Sequence, residues 1–198
     1  MNKHDLLKFL KQKNNDRKII DAFQKVRREN FIPEQYLENA YENIPIPIGY
    51  SATTSQPQVI AFMLELLELD KGQKILEIGS GSGYVLALLA EITNGNIYGI
   101  EIVKELSESS KTALSKYKNV HVLTQNGAYG LKKHAPFDRI LVSAAASEIP
   151  MHLAEQLSPK GIIVSSVKDF IIKIKKENDK INKVEYPGFA FVPLKYSN

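Results

Sequence analysis

Cysteine is missing from this chain of 198 residues, and so is tryptophan. Without a thiol there is no disulfide framework, no thiolate metal centre and no cysteine nucleophile, and a cytoplasmic setting is expected. No uninterrupted apolar run approaches the roughly 18 residues of a membrane-spanning helix, so no membrane partner is expected. The opening Met1-Asn2-Lys3-His4-Asp5 is followed by charge every few residues and does not read as a secretory leader. Histidine is scarce, and the spacing of His4, His121, His134 and His152 suggests neither metal ligation nor a catalytic base. What is present, 43% hydrophobic and 24% charged residues, suffices for one domain with a substantial core. A net charge of +4 could suit an acidic partner such as nucleic acid. The lysines, however, are spread along helices and an edge hairpin, so a solvated surface is the favoured reading.

The chain is organised around Glu77-Ile78-Gly79-Ser80-Gly81-Ser82-Gly83-Tyr84, which stands between the apolar stretches Ile75-Leu76 and Val85 to Ala90. A strand that enters a glycine-rich turn and leaves as a helix can hold an adenosine-bearing cofactor, because glycine lets backbone amides approach the ligand closely. The dinucleotide fingerprint G-x-G-x-x-G fails here, since its third glycine would fall on Tyr84. Instead the pattern is E-x-G-x-G-x-G, which resembles the turn of S-adenosylmethionine enzymes. A second acid is required at the end of the next strand to accept the ribose hydroxyls, and Glu101, followed by Ile102, lies about twenty residues on. A plain tight turn with incidental glycines is the competing reading, which the two acids disfavour.

In chain order, apolar spacing predicts helices over 3–13, stopped by Asn14-Asn15-Asp16, over 17–27, and near 34–40. The alternating prolines of Ile44 to Tyr50 exclude a regular helix and predict an ordered loop pressed on the core. These first 52 residues form a helical lid, and 53–198 the cofactor-binding core. Ser55 fits an N-cap, with Pro57 in the first turn and Gln58 as capping-box partner, for a helix reaching about Leu69. Then follow strand 73–78, helix 82–92, a turn at Thr93 to Asn96, strand 96–100, helix 103–117, strand 120–123, strand 137–143, helix 150–157, a turn at 158–161 and strand 161–166. Repeated β-α units of this length demand a doubly wound, mainly parallel α/β sheet of Rossmann-like kind, seven-stranded. Glu177-Asn178-Asp179 signals a closing antiparallel hairpin, an ending similar to that of S-adenosylmethionine-dependent methyltransferases.

Absences narrow the acceptor too. Carbon-5 methylation of a pyrimidine needs a cysteine, and the Asn/Asp-Pro-Pro-aromatic turn of exocyclic-amine methyltransferases is replaced by Ser143-Ala144-Ala145-Ala146-Ser147-Glu148-Ile149-Pro150. Small residues there leave room for a bulky acceptor. With Pro47-Ile48-Gly49-Tyr50, Thr53-Thr54-Ser55-Gln56-Pro57, His134 to Ile140 and Phe191-Val192-Pro193-Leu194, the chain resembles the protein-L-isoaspartate O-methyltransferases from about residue 18 to 194. The resemblance implies transfer of methyl from S-adenosyl-L-methionine to the carboxylate of isoaspartyl residues in damaged proteins, leaving S-adenosyl-L-homocysteine. It gives Ser55 the active-site role with Thr53 and Thr54 beside it. It places cofactor contacts at Glu77, Gly79, Ser80, Gly81, Ser82, Gly83, Glu101, Ile102, Asn126 and Gly127.

Two departures stand out. Where the family has Gly-Asp-Gly this chain has Gln125-Asn126-Gly127, and an uncharged acceptor for the adenine amine predicts weaker cofactor affinity. Where the family continues Pro-Val-Gly, a loop and glutamine, Val164 to Phe170 runs almost directly into the next strand, which predicts a shortened wall of the acceptor cleft. A methyltransferase with another acceptor such as RNA, and a cofactor-binding module without methyl transfer, are the alternatives. Oligomeric state is not legible.

Overall fold

All four residues of strand β3, Ile75–Ile78, are buried, as a strand covered on both faces requires. Ile75 joins the core on one face of the sheet and Leu76 and Ile78 the core on the other. The computed structural model describes residues 1–13, 16–146, 148, 151–177 and 180–189. Around β3 lie β4 (Ile97–Glu101), β5 (Val120–Thr124), β6 (Phe137–Ala146), β7 (Leu157–Val167), β8 (Phe170–Glu177) and β9 (Lys180–Pro187). The seven strands run in the order β5-β4-β3-β6-β7-β8-β9. Those from β5 to β7 are parallel, and β8 and β9 are antiparallel. This is the expected Rossmann-like methyltransferase sheet. Chain order runs outward from β3 to β5 and then returns to β6 on the other side. That reversal opens a crevice at the carboxyl ends of β3 and β6, where ligands of open α/β sheets bind.

One face of the sheet is covered by α1 (Lys3–Lys13), α2 (Arg17–Lys25), α3 (Pro57–Leu66) and α4 (Tyr84–Thr93), whose Leu10, Ile19, Phe23, Leu64, Leu86 and Leu89 share a single core with Ile75 and Leu141. The amino-terminal helices are thus a layer of the core. Helix α5 (Lys104–Ala113) follows β4. Two short 3-10 turns, Arg28–Phe31 and Glu34–Asn39, lead out of α2, the second where an ordinary helix is expected.

Several local expectations are corrected. Residues 44–50 do not form a loop: β1 (Ile46–Gly49) pairs antiparallel with β2 (Ala52–Thr54), Ile46 facing Thr54 and Pro47 facing Thr53. The prolines impose extended backbone, and extended backbone found a partner. Ser55 does not cap α3. The N-cap position is Gln56, without a side-chain bond, and the Gln58 amide donates to Asn43 Oδ1 at 2.9 Å while Asn43 Nδ2 donates to Gln58 Oε1 at 3.1 Å. The cap therefore comes from a distant turn that local spacing cannot reveal. Helix α3 ends at Leu66 and α5 at Ala113, short of Leu69 and 117. Residues Met151–Gln156 form a 3-10 turn in place of a helix over 150–157. The turn at 158–161 is absorbed into β7 as an irregularity, Phe137 facing Leu157 while Arg139 already faces Ile162. Asn14-Asn15, Ile149-Pro150, Asn178-Asp179 and Phe191 to Leu194 lie outside the described residues.

At the tip of the β1–β2 hairpin Tyr50 (φ 54°) and Ser51 (φ 59°) both occupy the left-handed region, the geometry of a tight primed turn. A side chain there costs about 1–2 kcal/mol, against about 0.4–1 kcal/mol of extra unfolded-state entropy for glycine. Ser51→Gly is expected to stabilise the protein by roughly 0.5–1 kcal/mol and to raise the melting temperature by about 1–3 °C, read by thermal and urea unfolding.

Candidate active site

Glycine lets the chain turn sharply out of β3. Gly79 (φ 78°), Gly81 (φ 52°) and Gly83 (φ 84°) are all left-handed, and a Cβ on Gly81 would lie 3.0 Å from Ile48 Cδ1 on the hairpin. The turn is stitched to β4, for the Gly79 and Ser80 amides donate to the Ile100 carbonyl at 2.9 and 3.1 Å. At the end of β4 the Glu101 carboxylate accepts from the Gly81 amide through Oε2 (2.8 Å) and from the Val103 amide through Oε1 (2.9 Å). A carboxylate offers about four lone-pair sites, so two remain for a ligand.

Beside this turn opens a cleft of about 390 Å³. Its floor is Ile78, Gly79, Gly81, Ile100 and Glu101; Ile102, Val103 and Gly127 close one side; Ser143 and Ala144 close another. The hairpin supplies the facing wall through Ile48, Tyr50, Ser51, Ala52 and Thr53, continued by Ser55, Gln56 and Val59. Glycine at 127 is obligatory, since a Cβ would fall 2.7 Å from Ile78 Cγ2.

Of the candidate residues, Thr53, Ser55, Gly79, Gly81, Glu101, Ile102 and Gly127 line this cleft together. Thr54, Glu77, Ser80 and Ser82 line instead a chamber of about 50 Å³ on the other side of the turn, which Thr53, Ser55 and Ser143 also reach. Strand alternation explains the division: Thr54 turns inward, with 7% of its surface exposed, between outward neighbours. Gly83 borders neither space and packs against Leu114 and Ser110. Asn126 is not among the lining residues, and its Oδ1 accepts from the Ala128 amide at 2.8 Å. None of residues 165–170 lines the cleft either. Lys168 (φ 53°) and Asp169 join β7 to β8 in a two-residue turn, and the wall expected from that region comes from the hairpin. Sequence spacing does not single out the hairpin residues Ile48 to Ala52 as cleft lining, and it marks Ser143 only as part of a small-residue segment. Ile48, Gly49 and Tyr50 stood in the resembling motif, and the strained turn carried no composition signal beyond Gly49.

Glu77 is buried on the helix-covered face, its Oε1 accepting from Ser143 Oγ at 2.6 Å and its Oε2 without a partner among the described residues. Burial pushes its carboxyl up to about 8; the Ser143 bond opposes this and the nearby Glu101 charge adds to it. Ser80 Oγ is likewise buried and unpartnered among the described residues. Both residues line the small chamber, which is large enough for water. The turn thus presents closely approachable glycine backbone and a floor acid to the cleft, backed by a second acid that is poorly compensated when ionised. Those residue types suit a ligand carrying a ribose and a cationic amino-acid head.

The profile described as Protein-L-isoaspartate(D-aspartate) O-methyltransferase (PCMT) matches residues 1–198. The chain belongs to that family. It is 43% identical over 190 residues to the protein-L-isoaspartate O-methyltransferase 2 of Archaeoglobus fulgidus, covering 92% of this chain and 87% of the relative. A solved protein-L-isoaspartate O-methyltransferase superposes with a TM-score of 0.88 at 26% identity, covering 97% of this chain, which spans 65% of the length of that chain. A second, from Plasmodium falciparum in complex with S-adenosyl-L-homocysteine, gives 0.86 at 26% identity with complete coverage of both chains.

A carboxyl raised in the folded state binds its proton more tightly there than in the unfolded chain. Its favourable contribution is therefore complete below the ordinary value near 4.5 and is lost as pH rises to about 8. Urea unfolding of the ligand-free protein from pH 5 to 9 should show stability falling across that window. Glu77→Gln should flatten the fall and be the more stable protein at pH 9.

Proposed function

We propose that this enzyme of the protein-L-isoaspartate methyltransferase family methylates the free carboxylate of isoaspartyl residues, with aged cytoplasmic proteins as their source. One observation carries the reading. Among the described residues no ionisable side chain apart from Glu101 and Tyr50 lines the cleft, and the wall facing the glycine turn is built of the hydroxyls of Thr53 and Ser55 with Gln56 beside them. An acceptor that must lose a proton would need a base there. A carboxylate, with a pKa of about 4, needs none.

Family membership and the residues of the turn both fit S-adenosyl-L-methionine. Glu101, with two acceptor sites to spare, and Ile102 and Gly127 would hold its nucleoside, and Gly79 and Gly81 would face its amino-acid end. When bound, it supplies a methyl group on a positively charged sulfur. The chain's own work is then orientation. Thr53 and Ser55 donate hydrogen bonds that hold the acceptor carboxylate without neutralising it, whereas a lysine or arginine in their place would quench the attacking oxygen. The hairpin, seated on Gly81 through Ile48, keeps that wall at a fixed distance from the turn. Ser143 and Ala144 are small enough to admit a branched backbone beside it.

A hydrogen bond to a charged group contributes about 1.5–3 kcal/mol, so Ser55→Ala should lower kcat on an isoaspartyl peptide roughly ten- to hundredfold. Calorimetric affinity for S-adenosyl-L-homocysteine should be little changed. Transfer of labelled methyl to the isoaspartyl peptide, with the aspartyl peptide as control, tests both role and reading. Binding of the product nucleoside without transfer to either peptide would refute the proposed acceptor. Loss of nucleoside binding in Ser55→Ala would refute the role of Ser55 alone.

A further inference from the structure

Arg28 is fully buried, with no exposed surface, and no carboxylate pairs with it among the described residues. Its Nη1 donates to the carbonyls of Ala40 (3.2 Å) and Glu42 (3.1 Å), and its Nη2 to those of Ile44 (3.1 Å) and Ser55 (3.1 Å). Every terminal donor of the guanidinium fork is thereby matched to a backbone carbonyl, three from the turn before β1 and one from the residue after β2. Its Nε is buried and unpartnered, and its fork lies 5.9 Å from the centre of the Tyr84 ring, at the first residue of α4. Burial lowers the guanidinium to about 10, which leaves it charged at neutral pH.

A buried cation without a counter-ion, and with one donor wasted, is an expensive way to hold loops together; apolar side chains of similar volume often do so at lower cost. What the fork supplies and a hydrophobe cannot is direction. It draws three alternate carbonyls of residues 40–44 and the Ser55 carbonyl to one point. The 55–56 peptide is trans, so fixing the Ser55 carbonyl on Arg28 turns the Gln56 amide to the opposite side. Both Ser55 and Gln56 line the cleft.

Resting on the acceptor reading above, we propose that Arg28 is a positioning residue for methyl transfer: by clamping the Ser55 carbonyl to the 40–44 turn it sets the Ser55 hydroxyl and the Gln56 amide as acceptor donors. Arg28 itself does not line the cleft and acts on it only through Ser55. The sharper consequence is a split between the two ligands. Loosening the clamp should spoil the acceptor wall and leave the nucleoside side, held by Glu101 and β4, intact.

The test uses the full chain as Arg28→Lys and Arg28→Ala. Lysine keeps the charge but presents three donors from one atom and cannot span four carbonyls. For both variants we expect kcat/KM on an isoaspartyl peptide to fall at least tenfold, against calorimetric affinity for S-adenosyl-L-homocysteine within about threefold of the parent. Millimolar guanidinium chloride should restore part of the turnover of Arg28→Ala and do nothing for Arg28→Lys or the parent. Parallel loss of nucleoside affinity and activity, full activity in Arg28→Lys, or no rescue in a folded Arg28→Ala would each overturn the proposal. If Arg28→Ala does not fold, Arg28→Lys decides alone through the peptide-against-nucleoside split. A parent enzyme that ignores the isoaspartyl peptide fails before any variant is made, which marks failure of the acceptor reading itself.

Discussion

A single carboxylate holds the centre of this molecule together. Glu101 takes the amide of Gly81 with one oxygen and that of Val103 with the other, binding the turn after β3 to the start of the segment after β4. Two loops that leave adjacent parallel strands would otherwise be free to splay. Joined through one charge-assisted pair, they form a rigid rim, and the same oxygens keep capacity for a ligand's hydroxyls. The rigidity and the recognition are one device. The glycines there are closely surrounded, since a Cβ would fall 3.0 Å from Ala144 at Gly79, 3.0 Å from Ile48 at Gly81 and 2.7 Å from Leu114 at Gly83.

The other acid works in the opposite sense. Glu77 is placed where ionisation is costly, with one oxygen satisfied by Ser143 and one by nothing among the described residues. The ligand-free fold carries that cost, and a cation close by would relieve it. The two sides of the cleft are therefore built on different principles. A carboxylate and a glycine turn shape the side at β3 and β4, while neutral hydroxyls on a strained hairpin shape the facing wall. Tyr84 connects the two, since it opens α4 directly after the glycine turn and its ring packs with Phe23, Phe31 and the Arg28 fork.

The sheet and the glycine-turn side of the cleft were legible because their signals are local. An apolar run, three glycines at alternate positions and an acid about twenty residues on suffice to place Glu77, Gly79, Gly81 and Glu101 around one turn. The hairpin side was not legible in the same way. Whether Ser55 caps a helix or faces a cleft depends on where its carbonyl goes, and that is decided by Arg28, 27 residues earlier. Likewise the cap of α3 is Asn43, and the second face of Glu77 is Ser143. Prolines at 45 and 47 announced extended backbone correctly but not its partner, because pairing is a tertiary event. Helix ends ran long for the same reason: spacing continues past the point where packing stops, as at Ala113.

One detail of the fold bears on the durability of the enzyme. At the end of α4, Asn94 adopts φ 51° and is followed by Gly95, the dipeptide whose backbone amide most readily attacks the preceding side-chain carboxamide. Here that amide is occupied, donating to Thr93 Oγ1 at 3.2 Å, and the Gly95 carbonyl is held by Asn119 Nδ2 at 2.6 Å. A side chain on Gly95 would collide with the Gln73 carbonyl at 1.9 Å, so the position admits glycine alone. A member of a family that acts on isoaspartyl proteins thus carries an Asn-Gly pair of its own, held through both the amide and the carbonyl of its glycine, which no other residue could replace.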